Sequence, residues 1–133
     1  MAREIFDILT TDRYINKNDV EITTSGSTWQ NIATLNIDRE EGLYEAQISM
    51  VWNYNLTNKS GKFRWSIDGG TTWLNTSEEP KDKTDLRPFS VIFPVEHVGG
   101  GTRQILVEAT RENDTHTMTM KYTAVVFKRI GNL

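Results

Sequence analysis

Two histidines are the first candidates for acid–base or metal chemistry in this chain. His97 follows Glu96 in "VEHVGGG", and His116 lies in "NDTHT". A histidine beside a carboxylate could form half of a metal site or half of an acid–base pair. Neither stretch contains an HExxH, GxSxG or phosphate-loop pattern that would supply the other half. Both histidines are therefore predicted to be solvated loop residues.

The segment "SEEPKDKTD" is a second candidate, because several carboxylates in one loop could bind calcium. Two lysines are interleaved with these carboxylates, and their spacing matches no known calcium loop. A solvated loop without a metal is therefore predicted. The carboxylates are Glu78, Glu79, Asp82 and Asp85.

The stretch "SIDGGTTW" places a carboxylate, hydroxyl groups and two glycines between two strand-like segments. Gly69 and Gly70 allow the positive φ that tight hairpins need. Asp68 can accept hydrogen bonds from turn amides, and Trp73 can shield those bonds from water. The stretch is thus predicted to be a self-capped hairpin with no catalytic role. Its structural residues are Ser66, Asp68, Gly70, Thr72 and Trp73.

The pattern Ser-x-Asp-x-Gly-x-Thr-Trp in this hairpin resembles the Asp-box of sialidases and related β-propellers. In those proteins the motif repeats once per blade and lies away from the active site. Here it occurs once, and a chain of 133 residues cannot supply a ring of four-stranded blades. The catalytic arginine cluster and tyrosine nucleophile of sialidases cannot be assigned either. The resemblance therefore concerns the turn, and the chain is predicted not to be an enzyme and to need no cofactor.

Apolar and polar residues alternate along most of the chain, which predicts β-strands. The clearest strand is "YEAQISMVWNY", whose apolar residues from Tyr44 to Tyr54, including Trp52, form one buried face. Pro94 lacks an amide proton, so its strand is expected at a sheet edge or to carry a bulge. The further strand segments are "DVEITT", "WQNIATLNI", "KFRWSID", "TTWL", "FSVIFPV", "RQILVEAT" and "TMTMKYTAVV". In the last of these, the predicted buried face is Met118, Met120, Tyr122, Ala124 and Val126.

About eight strands with no long helix predict an all-β fold made of two packed antiparallel sheets. The immunoglobulin Cys-Trp-Cys signature is missing, and the long strands and connections favour a jelly roll. The sandwich is expected to span residues 19–133. Residues 1–18 break the pattern and are expected to form an arm or a short strand.

Composition excludes several classes of partner. The chain has 15 basic and 18 acidic residues, a net charge of −3, and no Cys. This balance gives no reason to expect binding to nucleic acid or to an anionic membrane. No stretch has the length of a transmembrane helix, and the N-terminus lacks the apolar run of a signal peptide. A soluble protein made in the cytoplasm is therefore expected.

The order of these segments resembles small jelly-roll virion proteins of tailed bacteriophages, such as head-decoration proteins and fibre-tip domains. The segments that carry the resemblance span about residues 20 to 131. They are "STWQNIATLNI", "GLYEAQISMVW", "FRWSIDGGTTW", "RPFSVIFPV", "GGTRQILVEATR" and "MKYTAVVFKRIG". Proteins of this type are often trimeric, and their architecture is related to the tumour necrosis factor-like fold. The resemblance implies a structural protein of the virion that binds a phage capsid, a tail protein or copies of itself.

Capsid decoration by a homotrimer is the first functional prediction. One reason is that "TAVVFKRI" carries apolar residues on both of its faces, so the second face should be buried by another subunit. The N-terminal arm could serve attachment or intersubunit contact through Ile5, Phe6, Ile8 and Leu9. The alternative is a carbohydrate-binding module or a receptor-binding fibre tip. In that case the exposed aromatics at Trp29 or Trp73 would stack on a glycan.

Overall fold

The computed structural model of the chain describes residues 11–55, 59–80, 86–98, 102–112 and 116–133. Nine strands and no helix occur in these ranges. The strands are β1 Thr11–Asn16, β2 Val20–Ile22, β3 Gln30–Asp38, β4 Gly42–Tyr54, β5 Gly61–Ser66, β6 Leu74–Glu78, β7 Arg87–His97, β8 Thr102–Arg111 and β9 Met118–Gly131.

The strands form two antiparallel sheets packed face to face. One sheet has the order β1-β9-β4-β7, with β2 pairing with the remaining part of β9, and the other has the order β3-β8-β5-β6. The chain crosses between the sheets at six of its eight connections; the exceptions are β1 to β2 and β5 to β6, which join strands of the same sheet. This crossing pattern is that of a jelly roll. The predicted all-β sandwich is confirmed, with nine described strands where about eight were expected.

The core follows from strict alternation along the strands. In β4 every second residue from Gly42 to Tyr54 is buried, and Trp52 and Tyr54 are fully enclosed. The facing sheet contributes inward residues of β5 and β8, such as Phe63 and Val107. Gly61 also lies on the inner face, where a Cβ atom would come within 2.6 Å of the Trp52 ring. The Trp52 ring therefore occupies the space that a side chain at position 61 would need.

The predicted burial of β9 beyond Met120 is wrong for Tyr122 and Val126, whereas Ala124 is buried as predicted, with 6% of its surface exposed. The pairing of β9 with β4 shifts register at Val51 and Trp52, which is a β-bulge. A bulge adds one residue to a strand and so reverses which of the following side chains face the core. Val125 and Phe127 are therefore fully buried, and Val126 points to the outer face of the sheet.

The outer edges of the five-stranded sheet are β7 and β1. Pro94 lies in β7, whose other side pairs with no strand in the described ranges, as the missing amide proton predicted. β1 places residues 11–16 in the sandwich, although the sequence suggested an arm or short strand as far as residue 18. The Tyr14 hydroxyl donates a 3.2 Å hydrogen bond to the carbonyl of Ile32 in the facing sheet.

An ion pair between Asp12 and Arg39 also links β1 to the opposite sheet. Arg39, which follows β3, donates from Nε and Nη2 to the two carboxylate oxygens of Asp12, at 2.8 and 3.0 Å. Both side chains are mostly buried, with 27% and 22% of their surface exposed. The hydrogen bond to Asp12 raises the pKa of Arg39 above its usual value. Two parallel charge-assisted bonds fix geometry better than a single contact does.

Candidate functional site

The turn between β5 and β6, Ser66 to Trp73, is organised by its own side chains. The Ser66 hydroxyl donates to Asp68 Oδ1 at 2.7 Å and accepts from the Gly70 amide at 2.9 Å. Asp68 Oδ1 also accepts from the Thr72 amide at 2.9 Å. Gly69 and Gly70 have φ of +72° and +98°, a region that side chains other than glycine rarely adopt. A Cβ atom at Gly70 would lie 3.4 Å from the Trp73 ring.

These bonds stabilise the ionised form of Asp68. The hydrogen bond from Ser66, followed by the one from the Thr72 amide, lowers the pKa of Asp68 from 3.8 to about 2. The carboxylate is exposed, and its Oδ1 atom is occupied by donors of the same turn. The arrangement supports the turn, and the ionised carboxylate holds no proton that it could donate.

The Trp29 and Trp73 rings both contact Arg64 on the outer face of the four-stranded sheet. The sequence analysis did not identify Arg64. The Arg64 guanidinium lies 4.7 Å from the centre of the Trp29 ring and 4.0 Å from the centre of the Trp73 ring. Arg64 also donates from Nε to Glu108 on the neighbouring strand β8, at 2.7 Å. Cation–π contacts and a charge-assisted bond thus hold both rings in place.

A cleft of about 300 Å³ opens beside this cluster and is called the Trp29 cleft below. Its walls are Trp29, Lys62, Asn75, Thr76 and Ser77. Lys62 and Asn75 lie on the outer faces of β5 and β6, and all the lining side chains are at least partly exposed. An aromatic ring with amide, hydroxyl and ammonium groups around it can bind a polar ligand that has one apolar face.

A larger depression of about 670 Å³ lies at the end of the sheet, between the Ser66–Trp73 turn and the start of β8. Several of its polar groups are used within the chain. Gln104 Nε2 donates to Asn36 Oδ1 at 3.0 Å, and Arg103 Nη1 donates to the Ile67 carbonyl at 3.0 Å. These bonds hold the turn and the strand ends together, which favours a structural role for this depression.

His97 belongs to the same structural network, so the prediction that it is solvated is wrong. Only 2% of its surface is exposed, and it packs edge-on against Tyr44. Arg103 Nε donates to His97 Nδ1 at 3.1 Å, and His97 Nε2 lies 3.1 Å from the Arg39 carbonyl. An arginine can only donate, so the ring proton is on Nε2. His97 continues the inward alternation of β7, and this pattern could have revealed its burial.

The outer face of the five-stranded sheet has apolar and small polar side chains at its centre and charged residues toward one end, among them Glu45 and Lys128. Val126 lies between Arg13 and Gln47, and Gln47 pairs with Ile92 on β7. In the adjacent row, Ser49 and Ser90 bond each other at 3.2 Å. Two large apolar residues on the edge strands are strongly exposed, Ile15 by 48% and Ile92 by 57%. We call this surface the outer apolar face; its exposed or partly exposed apolar members are Ile15, Val51, Ile92, Tyr122 and Val126.

Of the remaining predicted candidates for chemistry, the structure describes Glu78, Glu79 and His116. Within the described ranges, no three acidic or histidine side chains come close enough to hold a metal ion. Glu78 pairs with Arg87, and His116 is half-buried with its carbonyl bonded to Arg111. Ile5, Phe6, Ile8 and Leu9, as well as Asp82 and Asp85, lie outside the described residues. In the described part of the chain, no helix is long and apolar enough to cross a membrane.

Sequence reasoning missed three residues around the Trp29 cleft: Lys62, Arg64 and Asn75. The alternation of "GKFRWS" already places Lys62 and Arg64 on the face opposite to Phe63 and Trp65. The meeting of Trp29 with Arg64 depends on the pairing of β3, β8 and β5, which no local pattern encodes.

Comparisons with known proteins agree with the fold. No protein-family model matches the chain, and no curated protein matches it significantly. Among solved structures, Eiger TNF from S. frugiperda is similar at 9% identity, with 92% of this chain and 93% of that chain covered and a TM-score of 0.50.

Two further solved structures overlap most of the chain. One is a chain from infectious bursal disease virus, Gx strain, at 9% identity and a TM-score of 0.50, with 91% of this chain and 32% of that chain covered. The other is a carbohydrate-binding module of Cellvibrio mixtus lichenase 5A in complex with cellotriose, at 11% identity and a TM-score of 0.45, with coverages of 90% and 96%. At 9% identity, the similarity to the first two structures is one of fold alone, and it agrees with the jelly-roll sandwich described above.

Proposed function

We propose that the protein is a non-enzymatic structural component of a tailed-phage virion, which assembles as a homotrimer and decorates the capsid by binding its lattice. The outer apolar face carries this proposal. Interface cores are depleted of charged residues and enriched in apolar ones, and this face has that composition at its centre. The sandwich core lies on the other side of the same sheet, so the face is not needed to bury the protein's own interior.

Closed symmetry explains how one such face can be used completely. A homotrimer repeats the same contact around a three-fold axis and leaves no copy of it unpaired. Ile15 and Ile92 stand at opposite edges of the face, so a neighbouring subunit that covers its full width would bury both side chains. The small, mutually bonded pair Ser49 and Ser90 leaves the middle of the face flat enough for close packing.

The jelly-roll fold fits a virion part. The similarity to a chain of infectious bursal disease virus supports this assignment at the level of fold. The segment with Ile5, Phe6, Ile8 and Leu9 is proposed to serve attachment to the capsid or to a neighbouring subunit, because it precedes β1 in the sequence and is rich in apolar residues. An extended segment can add contact area without enlarging the core.

Immunogold electron microscopy of the virions made by the encoding phage tests the proposed location. Antibodies raised against the purified chain are expected to label the head at many symmetric positions. Labelling only at the tail tip would contradict decoration and support a receptor-binding fibre tip. Absence of the chain from purified virions would refute a virion role of either kind.

A further inference from the structure

The Trp29 cleft has polar groups that the chain itself does not use. Within the described ranges, the side chains of Lys62, Asn75 and Ser77 make no hydrogen bond or ion pair, although they surround the Trp29 ring. Arg64 and Glu108, immediately next to them, are bonded to each other. The cleft therefore combines available donors and acceptors with an aromatic surface.

The ring at this cleft is held rigidly. Arg64 is fixed by Glu108 and stacks on Trp29 from one side, while Trp73 stacks on the same guanidinium. A ring that is already fixed loses little conformational freedom when a ligand packs on it, which reduces the entropic cost of binding. The rest of the half-buried Trp29 ring lines the cleft.

The charge of the cleft selects among ligands. Lys62 is the charged residue among the lining side chains, and no carboxylate lies among them. Its ammonium group can pair with an anionic group on a ligand, while Asn75 and Ser77 can bond hydroxyl groups.

We propose that the Trp29 cleft is a carbohydrate-binding site for a sugar that carries a carboxylate. The apolar C–H face of one pyranose ring packs on Trp29, and its hydroxyl groups bond Asn75 and Ser77. The sugar carboxylate pairs with Lys62. A cleft of about 300 Å³ is at the small end of ligand pockets, so one ring of a longer chain is bound in it and the neighbouring rings remain exposed.

Isothermal titration of the full chain with two soluble oligosaccharides tests this site. Galacturonate hexasaccharide supplies pyranose rings with carboxylates, and cellohexaose supplies neutral rings of similar length. The wild-type protein is expected to bind the galacturonate more tightly than the cellohexaose. No saturable binding of either sugar, or equal affinity for both, would overturn the proposal.

Variants assign the binding to the named residues. Trp29→Ala is expected to weaken galacturonate binding about ten-fold or more, since truncating a buried aromatic anchor typically has such an effect. Trp29→Phe should restore part of it, because it keeps an aromatic ring. Lys62→Gln should lower the affinity for galacturonate to that for cellohexaose and leave the latter unchanged. Unchanged galacturonate binding in Trp29→Ala or Lys62→Gln would refute the site.

Asn75→Ala separates a loss of binding from a loss of folding. The Asn75 side chain is exposed and unbonded within the described ranges, so its removal should not disturb the fold. It should weaken binding while the circular dichroism spectrum stays that of the wild type. The Trp29 cleft and the outer apolar face lie on different sheets, so Ile92→Glu should leave sugar binding intact. The two proposals can fail separately. A monomeric protein that binds galacturonate would contradict the proposed trimer and support this site. A trimer that binds no sugar would contradict this site and support the proposed trimer.

Discussion

The Ser66 hydroxyl donates a 2.7 Å hydrogen bond to Asp68 Oδ1, the same oxygen that accepts the Thr72 amide. This relationship explains why the pKa of Asp68 lies at about 2 instead of 3.8. A carboxylate with a lowered pKa in the folded state stabilises the fold when it is ionised. Its contribution is complete above pH 3.8 and is lost as the pH falls toward about 2.

We therefore expect the melting temperature of the wild type to exceed that of Asp68→Asn at neutral pH, and the difference to shrink as the pH falls from 3.8 to about 2. Asp68→Ala should also lower the melting temperature at neutral pH, because the Thr72 amide loses its acceptor. Thermal unfolding followed by circular dichroism measures both effects. A difference between wild type and Asp68→Asn that is independent of pH would show that the charge of Asp68 does not stabilise the turn.

Gly61→Ala should destabilise the protein by about 1–3 kcal/mol, the usual cost of overpacking a core. The new Cβ atom would lie 2.6 Å from the Trp52 ring and 3.0 Å from Met118 Cε. Gly131→Ala is the matched control, because a Cβ there meets no atom within 4 Å. Urea unfolding compares the free energies of the two variants. Equal stabilities would mean that Trp52 can move aside at little cost.

Asp12→Asn should loosen β1 while the rest of the sandwich stays intact. The substitution removes one charge of the bidentate pair with Arg39, and a partly exposed ion pair contributes about 1 kcal/mol or less. Hydrogen exchange should accelerate in Thr11–Asn16 and stay unchanged in Gly42–Tyr54. Arg13→Gln, which removes an exposed charge that pairs with no described residue, should leave exchange in β1 unchanged.

Local alternation was sufficient to predict the sandwich, because each strand buries one face and period two reports that face directly. It placed the core residues of β4 and the edge position of Pro94 correctly. It failed in β9, where the bulge near Tyr122 inverts the faces, and a bulge is set by pairing with β4 and not by the sequence of β9 alone.

The site around Trp29 and Trp73 could be predicted from the sequence only in part. Trp29 and Trp73 were identified as aromatics that could bind a glycan, but their distance in the sequence gives no sign that they share Arg64. His97 was assigned to a loop because the adjacent glycines suggested one, whereas Arg103 and the Arg39 carbonyl hold it inside the fold. Such contacts between distant segments depend on the strand order, which sequence patterns did not specify.

The outer apolar face offers the most direct test of the proposed homotrimer. Ile92→Glu places a charge at a side chain that is 57% exposed in the single chain. Leu74→Glu is the matched control on the other sheet, where Leu74 is 56% exposed. Both side chains are more than half exposed, so both variants should keep the melting temperature of an isolated sandwich.

The decisive measurement is the molar mass by light scattering at micromolar concentration. We expect three times the 15.3 kDa chain mass for the wild type and for Leu74→Glu, and a single chain mass for Ile92→Glu. A wild type that has the mass of one chain, or an Ile92→Glu variant that keeps the wild-type mass, would contradict assembly through this face.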